Sequence, residues 1–146
     1  MPSINFFLED TNYRIRKKKS IKKWIIEAIN LENEALDNLN IILTSDNYLH
    51  QLNIEHLDHD TLTDVITFEY NNEEEPILSD IFISIDRVKE NSKEFKQSQL
   101  NELHRIIIHG TLHLLGYKDK NKTDKDIMTK KEDYYLSLRS EDLLKY

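Results

Sequence analysis

His109 and His113 stand four residues apart in the stretch HGTLHLLGYKD, which ends at Asp119. On a helix, residues i and i+4 are neighbours on one face, so two imidazoles spaced this way can share one metal ion. Gly116 follows, and glycine just past a helical run ends the helix in the left-handed conformation at little cost. The chain then turns back through Tyr117 and Lys118 and offers the carboxylate of Asp119. Two imidazoles and one carboxylate leave other positions on the ion open, as catalytic sites do and closed structural sites do not. The whole chain has two glycines, Gly110 and Gly116, and both lie in this stretch. A glycine inside a helix costs about 1 kcal/mol relative to alanine. Gly110 therefore implies a close approach, which tight packing of the helix against a strand would also explain. A pair of satisfied core histidines would give the same bare spacing.

The rest of the composition limits what can hold such an ion. The chain has no cysteine, so nitrogen and oxygen must be the donors. Its 146 residues suit one domain, 1–146, around a single core. No stretch approaches the ~20 apolar residues of a membrane helix. Near the N-terminus the charge follows the apolar run, the reverse of a secretory signal. A cytoplasmic protein without membrane contact is expected, and no feature of the sequence sets an oligomeric state. The net charge of −7 does not advertise a nucleic-acid binder. The basic residues are nevertheless clustered: Arg14, Arg16, Lys17, Lys18, Lys19, Lys22 and Lys23. Such a cluster can neutralise phosphates, or it can be a solvated loop and helix start. Glu73 to Glu75 reads as a solvated loop.

The elements that must position the three donors follow from periodicity. Ile4 to Leu8 reads as a strand. Ser20 caps a helix whose stripe is Ile21, Trp24, Ile25, Ala28 and Ile29. Leu39 to Thr44 reads as a buried strand. Ser45 or Asp46 caps a helix that turns Tyr48, Leu49 and Leu52 inward. His50, His56 and His59 do not share a face and read as surface or turn residues. Asp60 to Thr63 is a turn. Val65 to Tyr70 and Ile77 to Ile85 are β-rich and flank the loop Asn71 to Pro76, which suggests antiparallel pairing. Asp80 sits inside an apolar strand, where a carboxylate is costly unless paired. Asp64 begins the neighbouring strand. Either could hydrogen-bond the outer ring nitrogen of a ligand histidine, serve as a base, or simply anchor a loop. Asp86 begins a helix through about Phe95. Ser98 caps a long helix, Gln99 to Leu115, apolar nearly all round and therefore central and buried. Glu102, Ile106, His109 and His113 share one side of it. Thr123 to Asp126 fits a capping pattern. Ile127, Met128, Lys131, Tyr134, Tyr135 and Leu138 define a last helix, and the tail from Ser140 is mobile or a final turn. The fold class is α/β (α+β): a single domain, with a four-stranded mixed sheet packed by about five helices.

The stretch HGTLHLLGY resembles the signature of the YbeY family of metal-dependent endoribonucleases, which runs His-Gly-x-Leu-His-Leu-x-Gly-Tyr-Asp-His. The match covers His109 to Tyr117. Lys118 and Asp119 stand where the family has Asp-His. Leu52-Asn53, Asp60 and Thr63 to Phe68 resemble the family's Leu-Asn-Arg-x-Tyr-Arg-x-x-Asp-x-Pro-Thr-Asp-Val-Leu-Ser-Phe. Ser79-Asp80-Ile81 resembles its Gly-Asp-Ile. The resemblance implies the same fold, a divalent ion on His109, His113 and Asp119, and single-strand-specific cleavage of RNA in ribosomal RNA maturation. It implies precursor ribosomal RNA as substrate, and the ribosome or ribosomal proteins as partners. The two arginines of the family pattern fall at Ile54 and Leu57 and are absent here. Phosphate charge would then be met by the metal and by Lys118, Lys120 or the Arg14 to Lys23 cluster.

A divalent ion on two neutral imidazoles and a carboxylate keeps a charge of +1 and acidifies a water for attack on a phosphodiester. Zinc is the first expectation. The carboxylate hardens the site, so manganese, iron or nickel also fit. A ribosome-associated factor with a structural metal is the alternative, motivated by the missing arginines. A different metallohydrolase comes third. Against a peptidase, Gly110 stands where the His-Glu-x-x-His enzymes carry their glutamate base.

Overall fold

The computed structural model describes residues 1–58 and 63–145. The first strand, β1 (Ser3–Glu9), leads into α1 (Lys18–Leu31), then β2 (Leu36–Thr44) and α2 (Asp46–Leu57). Strands β3 (Val65–Glu69) and β4 (Ile77–Ser84) follow, then α3 (Ile85–Glu94), α4 (Gln99–Leu114) and α5 (Lys122–Ser137). A 3₁₀ turn, Glu141–Leu144, closes the described chain. The sheet order is β1-β2-β4-β3. β1, β2 and β4 are parallel, and β3 runs antiparallel to β4, with Val65 opposite Ile83 and Phe68 opposite Asp80. The α+β class, the mixed four-stranded sheet and the five helices agree with the sequence pattern. Among the described residues no helix is long and apolar enough to cross a membrane.

The core lies between one face of the sheet and the stripes of α1, α4 and α5. Ile21, Ile25 and Ile29 of α1 meet Leu39, Ile41 and Leu43 of β2 and Ile81 and Ile83 of β4. Buried faces of α4 supply Leu103, Ile106, Ile107, Ile108 and Leu112, which makes it the central helix. A strand alternates its side chains. With Ile81 and Ile83 on the core face, Asp80 and Phe82 point to the other one, where Tyr48 of α2 stacks on Phe82.

Several local expectations shift. The N-cap of α1 is Lys17, in a left-handed conformation, not Ser20. Ser20 lies inside the helix and donates to Asp142 of the final turn, which Lys17 also pairs with at 2.8 Å. Of the two candidates for the α2 cap, Ser45 makes the hydrogen bond, accepting from Tyr48 N. Asn121, not Thr123, caps α5 through a bond from Asp124 N. The buried stripe of α5 is Met128, Glu132, Tyr135 and Leu136, while Ile127, Tyr134 and Leu138 are exposed. The tail forms a final turn with Leu143 buried. The expected turn at Asp60 to Thr63 begins outside the described residues, as does His59.

Candidate metal centre

Gly110 shows why α4 can lie so deep. A Cβ there would sit 3.1 Å from Ile81 Cγ2, 3.3 Å from Ile81 Cδ1 and 3.4 Å from Val65 Cγ2. The missing side chain lets the helix press on β4 and β3, next to His109. At its other end, Gly116 takes φ +100. Tyr117 N then reaches back to Leu112 O at 3.0 Å, the six-to-one bond of a Schellman motif. That bend aims the following residues back along α4.

The bend brings the three predicted donors together. His109 Nε2 and His113 Nε2 lie 3.0 Å apart. Asp119 Oδ2 is 3.2 Å from the first and 3.3 Å from the second. An ion about 2.0–2.2 Å from each donor separates donors by roughly 2.9–3.5 Å at octahedral to tetrahedral angles. The triangle therefore already has the edges of a facial ligand set. Among the described residues, this is the one group of three or more histidines and carboxylates close enough to hold a metal.

The outer nitrogens decide what the inner ones carry. His109 Nδ1 lies 2.6 Å from Glu132 Oε2, and His113 Nδ1 lies 3.0 Å from Tyr117 O. A carboxylate and a carbonyl oxygen can only accept, so both Nδ1 atoms donate. In neutral rings both Nε2 lone pairs then point at one another and at the Asp119 carboxylate. Three electron pairs within 3.3 Å of each other call for positive charge between them. A proton can supply it: burial lowers the affinity of His109 for one, but the hydrogen bond and charge of Glu132, with Asp64 and Asp119, raise it above the ordinary value. A divalent ion supplies it more completely, because it serves all three donors at once. By donor chemistry and by spacing, the site fits a metal.

Glu132 was not visible as a site residue in the sequence. Its side chain is 9% exposed, and its second oxygen accepts from Arg105 Nη1 at 2.8 Å. Arg105 also holds Asp133 at 2.6 Å. The available signal was a carboxylate on the Met128–Tyr135 stripe, where α5 should present only apolar side chains.

The predicted role for Asp64 and Asp80 at the outer nitrogens belongs instead to Glu132 and to Tyr117 O. Asp80 is on the opposite sheet face, accepting from Asn40 Nδ2 at 3.0 Å and from the Tyr70 hydroxyl at 2.8 Å. Strand alternation alone excludes it from the centre. Asp64 does face the centre. Burial raises its carboxyl pKa, a shift that His109 opposes and that Asp119 and Glu132 reinforce. Asp60 lies outside the described residues, and His56 sits edge-on to Phe68, 6.0 Å between centroids.

A cavity of about 1090 Å³ opens over the donors. Asp64, Leu57, Lys118 and Lys120 line it beside His109, His113 and Asp119. Leu57, at the place of a family arginine, brings no charge, and no residue of the Arg14 to Lys23 cluster lines the cavity. Four glutamates, Glu34, Glu69, Glu73 and Glu75, also line it.

A family profile described as Endoribonuclease YbeY matches residues 6–139. A protein named Endoribonuclease YbeY from Cytophaga hutchinsonii is 47% identical over 94% of this chain and 96% of its own length. One of the same name from Amoebophilus asiaticus is 44% identical over 93% of this chain and 94% of its own length. The solution structure of TM1509 from Thermotoga maritima matches with a TM-score of 0.64 at 29% identity, covering 92% of this chain and 87% of that one.

Proposed function

The chain belongs to the YbeY family of endoribonucleases, and we propose that it cuts single-stranded RNA at a divalent metal centre made by His109, His113 and Asp119. The observation that carries this reading is the convergence of three lone-pair donors whose outer partners forbid a proton on either facing nitrogen of the neutral rings. Zinc suits two imidazoles and a carboxylate, and manganese, iron or nickel suit the harder third donor. Bound there, such an ion supplies Lewis acidity toward a phosphoryl oxygen and a water made acidic.

The chain's own groups supply the remainder. Glu132 and Tyr117 O hold the two rings in the tautomer that presents Nε2 inward. Asp64 lines the same cavity, and burial raises its pKa above the ordinary carboxylate value, which suits it to accepting a proton there. Lys118 and Lys120 line the cavity where phosphates would pass, in place of the family arginines missing at Ile54 and Leu57.

The family resemblance supports ribosomal RNA precursors as substrate and the ribosome or its proteins as partners, and the charge and apolar pattern of the sequence supports a cytoplasmic location. A structural metal without catalysis is not favoured, since the relatives carry a nuclease's name and the donors open onto a cavity. The test is cleavage of an unstructured RNA oligonucleotide by purified protein. Cleavage should stop with chelator, return with added zinc or manganese, and be absent in His109→Ala. Undiminished cutting by that variant overturns the proposal.

A further inference from the structure

Glu32 ends α1, far along the chain from the metal donors, and its side chain is only 14% exposed. Burial pulls its pKa up, but hydrogen bonds from Tyr117, Tyr135 and Lys131 outweigh this and hold it below the ordinary value. Its Oε1 accepts from the Tyr117 hydroxyl at 2.5 Å. Its Oε2 accepts from Lys131 Nζ at 3.1 Å and from the Tyr135 hydroxyl. Lys131 also lies over the Tyr117 ring, 5.5 Å from its centroid. One carboxylate thus ties the end of α1 to α5 and to the bend after α4.

Tyr117 is the residue through which this tie reaches the centre. It is held at three points: N on Leu112 O, hydroxyl on Glu32, and O on His113 Nδ1. Asp119 lies two residues further on. Among the described residues, Lys118, Asp119 and Lys120 make no backbone hydrogen bond. The loop next gains an anchor at Asn121, the cap of α5. The place of the third donor is therefore set by a short bridge between two fixed ends, and Glu32 fixes one of them.

We infer that Glu32 is a positioning residue for the metal centre: through Tyr117 it fixes both the carbonyl that orients His113 and the loop that presents Asp119. The inference rests on the metal-centre reading above. It goes beyond a simple tie between helices, because it requires metal affinity, and not only stability, to depend on Glu32.

The experiment is a Co²⁺ titration of the full chain, read by calorimetry and by the visible absorption of the bound ion, well below each variant's unfolding temperature. Glu32→Gln keeps the size and removes the charge, while Tyr117→Phe keeps the ring and removes the hydroxyl. Both should lose about 10-fold in Co²⁺ affinity, the lower end of the cost of removing a group bonded directly to a ligand, because the carbonyl on His113 Nδ1 is displaced rather than removed. Both should also change the visible spectrum as the third donor loosens. Ile25→Val trims the core on the same helix and should keep wild-type affinity and spectrum. Wild-type affinity and spectrum in both Glu32→Gln and Tyr117→Phe would overturn the positioning role alone. A wild-type chain that takes no Co²⁺ would overturn the metal centre, and this inference with it.

Discussion

His104 lies on α4 but away from the donors, fully buried, with its ring centroid 5.7 Å from that of Trp24. Arg139 Nη1 donates to its Nδ1 at 3.0 Å, so the ring proton sits on Nε2, which finds no partner among the described residues. A second proton would set N–H against N–H and a cation against the guanidinium. Burial, then the charge of Arg139, lower the His104 pKa from 6.5 to about 4. The unfolded chain takes up the proton first. Stability from the neutral ring is therefore complete above pH 6.5 and is lost as the pH falls toward 4. The gap corresponds to ~3 kcal/mol over the full window, most of which falls between pH 7.5 and 4.5. Urea unfolding of metal-free protein at these two pH values, beside His104→Gln, measures it. The glutamine amide oxygen can still accept from Arg139 but does not titrate, so carboxylate effects cancel in the comparison. The wild type should lose about 2 to 3 kcal/mol more than the variant. Parallel losses, within about 0.5 kcal/mol, would refute the reasoning.

Three further outcomes are expected. Glu132→Ala frees His109 Nδ1 and leaves Arg105 without its 2.8 Å partner, so zinc affinity should fall about 10- to 100-fold with the helical circular dichroism kept; unchanged affinity contradicts the role given to Glu132. Gly110→Ala brings a methyl to 3.1 Å from the fully buried Ile81. Overpacking there should exceed the ~1 kcal/mol helix-propensity gain of alanine, for a net loss of about 1 kcal/mol in urea unfolding; a stabilised variant would contradict the close approach. Asp119→His replaces the hard carboxylate by imidazole and should raise preference for zinc over manganese in competition dialysis. An unchanged ratio would mean that residue 119 does not bind the ion.

The sequence shows most of the framework because its strongest patterns are local. The all-round apolar run of α4, the i,i+4 histidines and the glycine bend each need only a few neighbouring residues, and the structure places them together. The alternation of Ile81 and Ile83 also placed Asp80 on the far face, a signal outweighed by the oddity of a carboxylate in an apolar strand. What stayed hidden is tertiary. Glu132 meets His109 across 23 positions of sequence. It looks like an ordinary charge on a helix until α5 is docked, and turning it inward rotates the buried stripe away from Ile127, Tyr134 and Leu138. The start of α1 was misplaced for a similar reason. Ser20 has the chemistry of a cap, but its hydroxyl bonds Asp142 from the far end of the chain, and lysines extend helices readily.

The central claim is that His109, His113 and Asp119 grip one cation. Anomalous diffraction from crystals grown with zinc tests it most directly. One peak is expected about 2.0–2.2 Å from His109 Nε2, His113 Nε2 and an Asp119 carboxylate oxygen, absent from Asp119→Ala crystals at the same zinc concentration. A peak elsewhere, or one of equal strength in the variant, would contradict it.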